Sequence, residues 1–200
     1  MSIFSKLNFK DQAFQLRENA ILDATTQILA TKGFDLMTVD DVVNLAGLSK
    51  PILYKHFKSK DDLVAKLMTR LIEAALEKLD AMPETTEPKE KLGQLLEWAL
   101  RMRLNGGLPF LPSTSAAVRD MLTKNLTYVT KVMKLNSKLE AIVKQGQSKG
   151  QLKTHLTSDV ILFSYYARSC DPAVDYLKRF SKMGDDAIVE GMLKVCFEGI

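Results

Sequence analysis

The sequence predicts an all-α protein built as two helical domains, and three observations predict it. Apolar residues recur at spacings of three and four along most of the chain, while β-branched alternation is scarce. Gly, Pro, Ser, Thr and Asn punctuate these stretches where helices should start and stop. One polar segment with two prolines, MPETTEPKEK (82–91), separates a shorter N-terminal part from a longer C-terminal one.

The bulk composition narrows the class. A chain of 200 residues with 46% hydrophobic and 26% charged residues suits a globular protein with a real core. A net charge of +4 is too mild to demand a polyanionic partner, so charge distribution has to make that case. No apolar run approaches the ~20 residues needed to cross a bilayer. The opening MSIFSKLNFKDQAF lacks the apolar stretch of a secretory signal. Cys170 and Cys196 are the only cysteines, which fits a reducing compartment and a cytoplasmic location. With His56 and His155 as the only histidines, no metal-ligand spacing appears. There is no nucleophile–base motif and no phosphate loop either, so no enzyme, metal or cofactor is expected.

Residues 1–14 read as an N-terminal arm. Its Phe4, Lys6, Phe9 and Lys10 could belong to a mobile tail or reach a minor groove. The first helix runs from about Gln15 to Thr31, with Ile21, Ala24 and Ile28 on one side and Leu22, Thr25 and Leu29 beside them. Gly33 stands where a C-terminal cap is expected. Thr38 then looks like an N-cap, with Asp40 and Asp41 in the positive first turn. The short helix it opens turns Val39, Val42, Val43 and Ala46 inward and stops at Gly47. The next starts at Lys50 or Pro51 and ends at Phe57. Pro fits a first turn because its missing N–H would be unpaired there, and Lys50 could itself be the cap. Ser59 and Asp62 have the form of a capping box. The helix they open runs to about Ala81 on a stripe of Leu63, Val64, Leu67, Leu71, Ala74 and Ala75.

Beyond the polar segment, a helix spans about Lys89 to Asn105. GGLPFLPSTS follows, with room for a short helix of its own. A long helix should run from about Ser115 to Lys149, closed by Gly150. Its lysines Lys124, Lys131, Lys134 and Lys138 read as a solvated side. Thr157 or Ser158 caps the next helix, which Asp171-Pro172 should kink or split. A last helix covers about Asp185 to Phe197.

Two short helices joined by a tight turn containing Gly make a helix-turn-helix. Between Ser49 and Lys60 the chain carries Lys50, Lys55, Lys58, Lys60 and His56 and no acid, although the first eighty residues hold eleven Lys or Arg and eleven Asp or Glu. If Leu45, Leu48, Leu53 and Phe57 pack onto the first helix, Lys50, Ile52, Lys55 and His56 point out. DNA's major groove admits an α-helix. The lysines would neutralise phosphates, which positions a protein without specifying sequence. Lys50 can donate to guanine. Pro51, Ile52 and the Tyr54 ring can meet thymine methyls, or Tyr54 can give its hydroxyl to a phosphate. A short lysine cluster alone is more often a solvated face. The bracket of Thr38, Gly47 and Ser59 at helix boundaries shifts that balance.

The segment MTVDDVVNLAGLSKPILYKHFKSKDDLVAKL (37–67) resembles the DNA-binding domain of the TetR (tetracycline-repressor-like) transcriptional regulators. The likeness is close from about Arg17 to Leu71. Its most specific part is Ala46-Gly47-Leu48-Ser49, then Leu53-Tyr54, Phe57, and Ser59-Lys60 with Leu63. Past the linker it is weaker, resting on helix order and on AIVKQGQSKGQLK, which looks like the end of a long seventh helix. The resemblance implies that Thr38 caps the second helix near a phosphate. It implies that Ser49, Lys50, Pro51, Ile52, Tyr54 and Lys55 lie at or on the recognition helix. Tyr54 and His56 match positions that touch the DNA backbone or a base, and Lys60 matches a phosphate-holding lysine. Ile52 departs from the family, where Thr or a small residue is common.

The organisation expected is therefore a helix-turn-helix domain over 15–60, a connecting helix over 61–81, and an effector-binding and dimerisation domain over 82–200. The protein would bind a palindromic operator as a homodimer, as an effector-responsive repressor. The alternative is a DNA-binding protein whose larger domain binds another protein. For the dimer face, the last helix offers Ile188, Val189, Met192 and Cys196, with Phe197. The helix before the Asp171-Pro172 break offers Ile161, Ser164 and Ala167, with Val160. The same stripes could instead fill their own subunit's core. Trp98, Met102, Phe110, Tyr128, Phe163 and Tyr166 are candidate linings of an effector pocket, or plain core. Arg101 and Arg103 flank Met102, and an inward-facing arginine would suit an anionic effector such as an acyl compound.

Overall fold

The computed structural model describes residues 9–108 and 116–199, and every regular element among them is a helix. In chain order these are α1 (Phe9–Leu36), α2 (Val39–Ala46), α3 (Lys50–His56), α4 (Lys60–Asp80), α5 (Pro88–Leu104), α6 (Ala116–Thr123), α7 (Leu126–Ser148), α8 (Ser158–Ser169), α9 (Ala173–Phe180) and α10 (Asp185–Glu198). The chain divides into two compact units, one up to Leu67 and one from Met68 onward. Phe4, Lys6 and Phe110 lie outside the described residues.

In the first unit α1 starts at Phe9, inside the stretch expected to be an arm. It breaks at Gly33, whose φ of 74° and ψ of 172° belong to no helix. Glycine enters that region without a steric penalty. Ile21, Leu22 and Ala24 of α1, Met37, Val42 and Val43 of the α2 region, and Leu53 and Phe57 of the α3 region are all buried. Thr25 is buried with them, and its hydroxyl donates back to the Ile21 carbonyl at 2.7 Å. Leu45 departs from expectation at 49% exposed. It lies two residues from Val43 on a helix, so the two cannot share an inward face.

In the second unit α5 is the central helix and packs against α7, α8, α9 and α10. It buries Leu92, Leu95, Leu96, Ala99 and Leu100. The buried Tyr165 of α8 donates its hydroxyl to the Leu92 carbonyl at 3.0 Å. The single long helix expected over 115–149 is two helices among the described residues. Asn125 ends the first run and caps α7 by accepting from the Tyr128 N–H at 3.0 Å. The lysine row of α7 is not wholly solvated. Lys131 pairs with Glu73 at 2.7 Å and Lys138 pairs with Asp80, both acids of α4. At Asp171-Pro172 the chain splits into α8 and α9, with the Asp171 carboxylate accepting from the Ala173 N–H at 2.9 Å.

Candidate nucleic-acid interface

The helix-turn-helix is built outward from its turn. Gly47 adopts a left-handed conformation (φ 65°, ψ 33°), and the N–H of Leu48 donates to the Val43 carbonyl at 2.9 Å. A side chain would resist that reversal. Thr38 closes the other end of α2. Its Oγ1 accepts from the Asp41 N–H at 3.1 Å, and its own N–H donates to Asp41 Oδ2 at 3.0 Å. The hydroxyl proton also goes to Asp41 Oδ2, at 2.8 Å, so it is used inside the cap. Lys32 Nζ lies 2.6 Å from the other carboxylate oxygen. The Lys32 bond first, and the Thr38 bonds after it, hold the Asp41 carboxyl down to about 2.

Ser49 takes the cap position of α3 without a side-chain bond, so Lys50 is the first helical residue and not the cap. Leu53 and Phe57, 0% and 3% exposed, turn the inner side of α3 into the core. The opposite side presents Lys50, Pro51, Tyr54 and Lys55, all exposed, with Ile52 half-buried. Lys50 has an internal partner, the Asp40 carboxylate of α2 at 2.9 Å. That bond raises the Lys50 ammonium above the usual lysine value. Ser59 accepts from the Asp62 N–H at 3.0 Å to start α4, and Asp62 in turn accepts from the Lys58 N–H at 2.8 Å. Lys60 Nζ stands 4.2 Å above the centre of the Phe34 ring, a cation–π contact that fixes the ammonium at the start of α4.

His56 departs from the outward orientation expected of it. Its side chain is only 2% exposed. The ring stacks on Phe14 of α1 with centroids 3.9 Å apart and faces Glu18 at 3.9 Å. The extension of α1 back to Phe9 brings Phe14 there, and reading residues 1–14 as an arm hid it. Nδ1 of His56 is buried without a hydrogen-bond partner among the described residues. Burial first, then the Arg17 charge, push the imidazole below the usual histidine value, against the pull of Glu18. Asp40, Phe14 and Glu18 are the residues missed by the sequence reading. The available signal was the helical period, which continues through Ala13 and Arg17 to Phe9 without a breaker.

In the second unit the candidate residues separate. Ile188, Val189 and Met192, expected on a dimer face, are 1%, 2% and 7% exposed and belong to their own subunit's core. The outer side of α10 is Ala187, Glu190, Gly191 and Lys194 instead. On α8, Ser164 and Ala167 are exposed and Ile161 is half-buried, as is Cys196 on α10. Val160 and Phe163 join the exposed row of α8 at 51% and 64%. Among the described residues Phe163 therefore lines no enclosed cavity, against its expected place in an effector pocket. Tyr128 and Tyr166 are buried, with burial pushing the Tyr128 phenol up to about 12. Trp98 and Met102 are half-buried on α5.

The two arginines of α5 differ. Arg101 is committed to Glu97 at 2.8 Å and Asp186 at 2.7 Å. Arg103, with a side chain 14% exposed, meets Asp175 of α9 at 2.6 Å through Nη2. Its Nη1 is enclosed without a hydrogen-bond partner among the described residues. A separate cleft of about 530 Å³ opens between Leu92, Leu156, Tyr165 and Phe197, with Lys89 and Arg168 on its lining. Ile161, Ser164 and Cys196 reach it, and none of the described candidate effector residues does.

Comparison with known proteins gives a consistent picture. Residues 21–67 match the family described as bacterial regulatory proteins, tetR family. The transcriptional activator FasR of Mycolicibacterium smegmatis is 22% identical over 190 residues, covering 92% of this chain and 83% of that protein. The regulator YhgD of Bacillus subtilis is 28% identical over 158 residues, covering 76% and 81%. Among solved structures, FadR of Bacillus subtilis in complex with stearoyl-CoA aligns with a TM-score of 0.66 at 19% identity, over 91% of this chain and 98% of that one. AibR in complex with isovaleryl coenzyme A and operator DNA aligns with a TM-score of 0.66 at 19% identity, over 90% and 98%. At these identities the structural likeness is one of fold. With the helix-turn-helix, its capped frame and the family match over that segment together, residues 21–67 form a DNA-binding domain of the tetR type, and the chain is similar over most of its length to DNA-binding transcriptional regulators.

Proposed function

We propose that the protein is a repressor that binds a palindromic operator as a homodimer and leaves it when a small anionic acyl compound, of the acyl-coenzyme A class, occupies the second unit. The observation that carries the DNA half is the outer side of α3, where Lys50, Pro51, Tyr54 and Lys55 are exposed on a helix whose inner side is anchored by Leu53 and Phe57. Lys50 would leave Asp40 to donate to a base edge, Tyr54 would meet a methyl or a phosphate, and Lys55 and Lys60 would hold phosphates.

A two-fold dimer would place two recognition helices about 34–36 Å apart, one turn of the duplex. Its face would be the exposed row of α8, Val160, Phe163, Ser164 and Ala167, which recurs at three, four and seven. The small outer residues of α10, Ala187 and Gly191, would admit the partner closely. An anionic effector is supported by Arg103, whose guanidinium keeps an enclosed, unpartnered Nη1 beside its pair with Asp175. Tyr128, Tyr166, Trp98 and Met102 supply apolar wall in the same unit. Two regulators of the same fold are solved with acyl-coenzyme A ligands. The effector acts only if it prefers one of two arrangements of the dimer.

The test starts from duplexes selected out of random DNA by the purified protein. A selected palindrome supports dimeric binding. Acyl-coenzyme A thioesters of increasing chain length are then titrated against the bound complex by fluorescence anisotropy. One chain-length class should weaken binding by about five- to 150-fold. If no thioester shifts either DNA affinity or melting temperature while a protein partner does, the larger unit serves that partner instead.

A further inference from the structure

We infer that His56 is a positioning residue for DNA binding: its enclosed, neutral ring clasps the end of recognition helix α3 to the first helix, and acid opens the clasp. The inference rests on the DNA-interface reading above and adds a device to it. His56 is the last residue of α3, two positions after Tyr54 and next to Lys55. It is therefore the point at which the exposed side of that helix is tied down. The tie is the stack on Phe14 at 3.9 Å, with the Phe57 ring tilted to the imidazole at a centroid distance of 6.1 Å. A ring 2% exposed cannot also reach a phosphate, so the chain uses this histidine differently from the outward contact that its position suggests.

The charged groups around the ring decide what a proton does there. From α1 come Glu18, 3.9 Å from Nδ1, and Arg17. From α4 comes Lys66, 3.9 Å from Glu18 and competing for the same carboxylate. Lys55 is the cation beside it on α3 itself. Glu18 is therefore shared between the ring and Lys66, and the buried Nδ1 gains no close acceptor among the described residues. A charged imidazole in such a place loses more hydration than it recovers. The folded-state value lies below the ordinary one of 6.5. The contribution to stability is then complete above 6.5 and is lost as pH falls through the folded-state value.

The experiment measures affinity for a selected duplex from pH 7.5 to 5.5 at constant ionic strength, for wild type, His56→Phe, His56→Ala and Phe14→Ala. His56→Phe keeps a flat ring and removes the unpartnered Nδ1, so it should fold and show no loss of affinity as pH falls from its own value at pH 7.5. His56→Ala and Phe14→Ala should bind several-fold more weakly even at pH 7.5, although Phe14 lies on α1. Wild type should weaken several-fold as pH falls below 6.5.

Acid that tightens wild-type binding, together with weak binding by His56→Phe, would show a phosphate contact and overturn the inference. So would an acid response in His56→Phe equal to that of wild type. The interface reading has its own control. If Lys55→Gln leaves affinity unchanged at every pH, α3 is not the reading helix, and both proposals fall together. If Lys55→Gln weakens binding but the histidine variants behave like wild type, only the clasp is wrong.

Discussion

Leu53 and Tyr54 are neighbours in the chain and opposite in role, and replacing each by alanine separates anchoring from reading. Leu53 is 0% exposed and Tyr54 is 51% exposed. Leu53→Ala removes three carbon positions from a packed site, worth about 2.4 kcal/mol in transfer at ~0.8 kcal/mol each. The cavity left behind adds to this, for a total of about 3 kcal/mol. In a unit of this size that lowers the melting temperature by more than about 10 °C. Leu53 is also the one residue buried within α3, so its loss frees the helix as a whole. Tyr54→Ala should cost under about 0.5 kcal/mol of stability while weakening DNA binding by roughly ten-fold. Urea unfolding followed by circular dichroism reports both units, whereas the single tryptophan, Trp98, reports the second unit alone. Leu53→Ala should advance only the part of the transition that Trp98 fluorescence does not see. Equal destabilisation by the two variants would refute this division of α3 into an inner and an outer side.

Asp40→Asn removes the internal competitor for Lys50, and should tighten duplex binding by about two- to five-fold, as expected for an exposed pair; weaker binding would mean that Asp40 itself contacts the DNA. Asp41 is held down to about 2, so its capping contribution is complete above the ordinary carboxylate value and is lost as pH falls through 2. Asp41→Asn should accordingly flatten the acid limb of the first unit's stability, measured by urea midpoints between pH 5 and 2. On α8, Phe163→Lys should leave helicity intact and convert dimer to monomer in sedimentation, because the side chain is 64% exposed within one subunit. Ile188→Lys, at a 1% exposed position, should unfold the second unit instead.

The helix-turn-helix was legible because local chemistry decides it. Thr38, Gly47 and Ser59 each act on backbone groups within four residues, and their roles follow from type and spacing. What the sequence hid was long-range. The acid-free stretch from Ser49 to Lys60 receives its acids from elsewhere, Asp40 at Lys50 and Glu18 at His56. The period of α10 marks Ile188, Val189 and Met192 as one apolar side, but periodicity cannot say whether that side faces its own subunit or a second copy. The α6–α7 break was visible in Asn125 ahead of an apolar run, and the strength of the surrounding helical period masked it.

The most direct test of the DNA-reading role of α3 is the salt dependence of binding to the selected palindrome, wild type against the triple variant Lys50→Gln, Tyr54→Phe, Lys60→Gln. The variant should retain its helicity, lose at least about ten-fold in affinity, and show a salt slope shallower by about 0.9 for each phosphate-bound lysine removed. Unchanged affinity with an unchanged slope would place the DNA contact elsewhere on the protein.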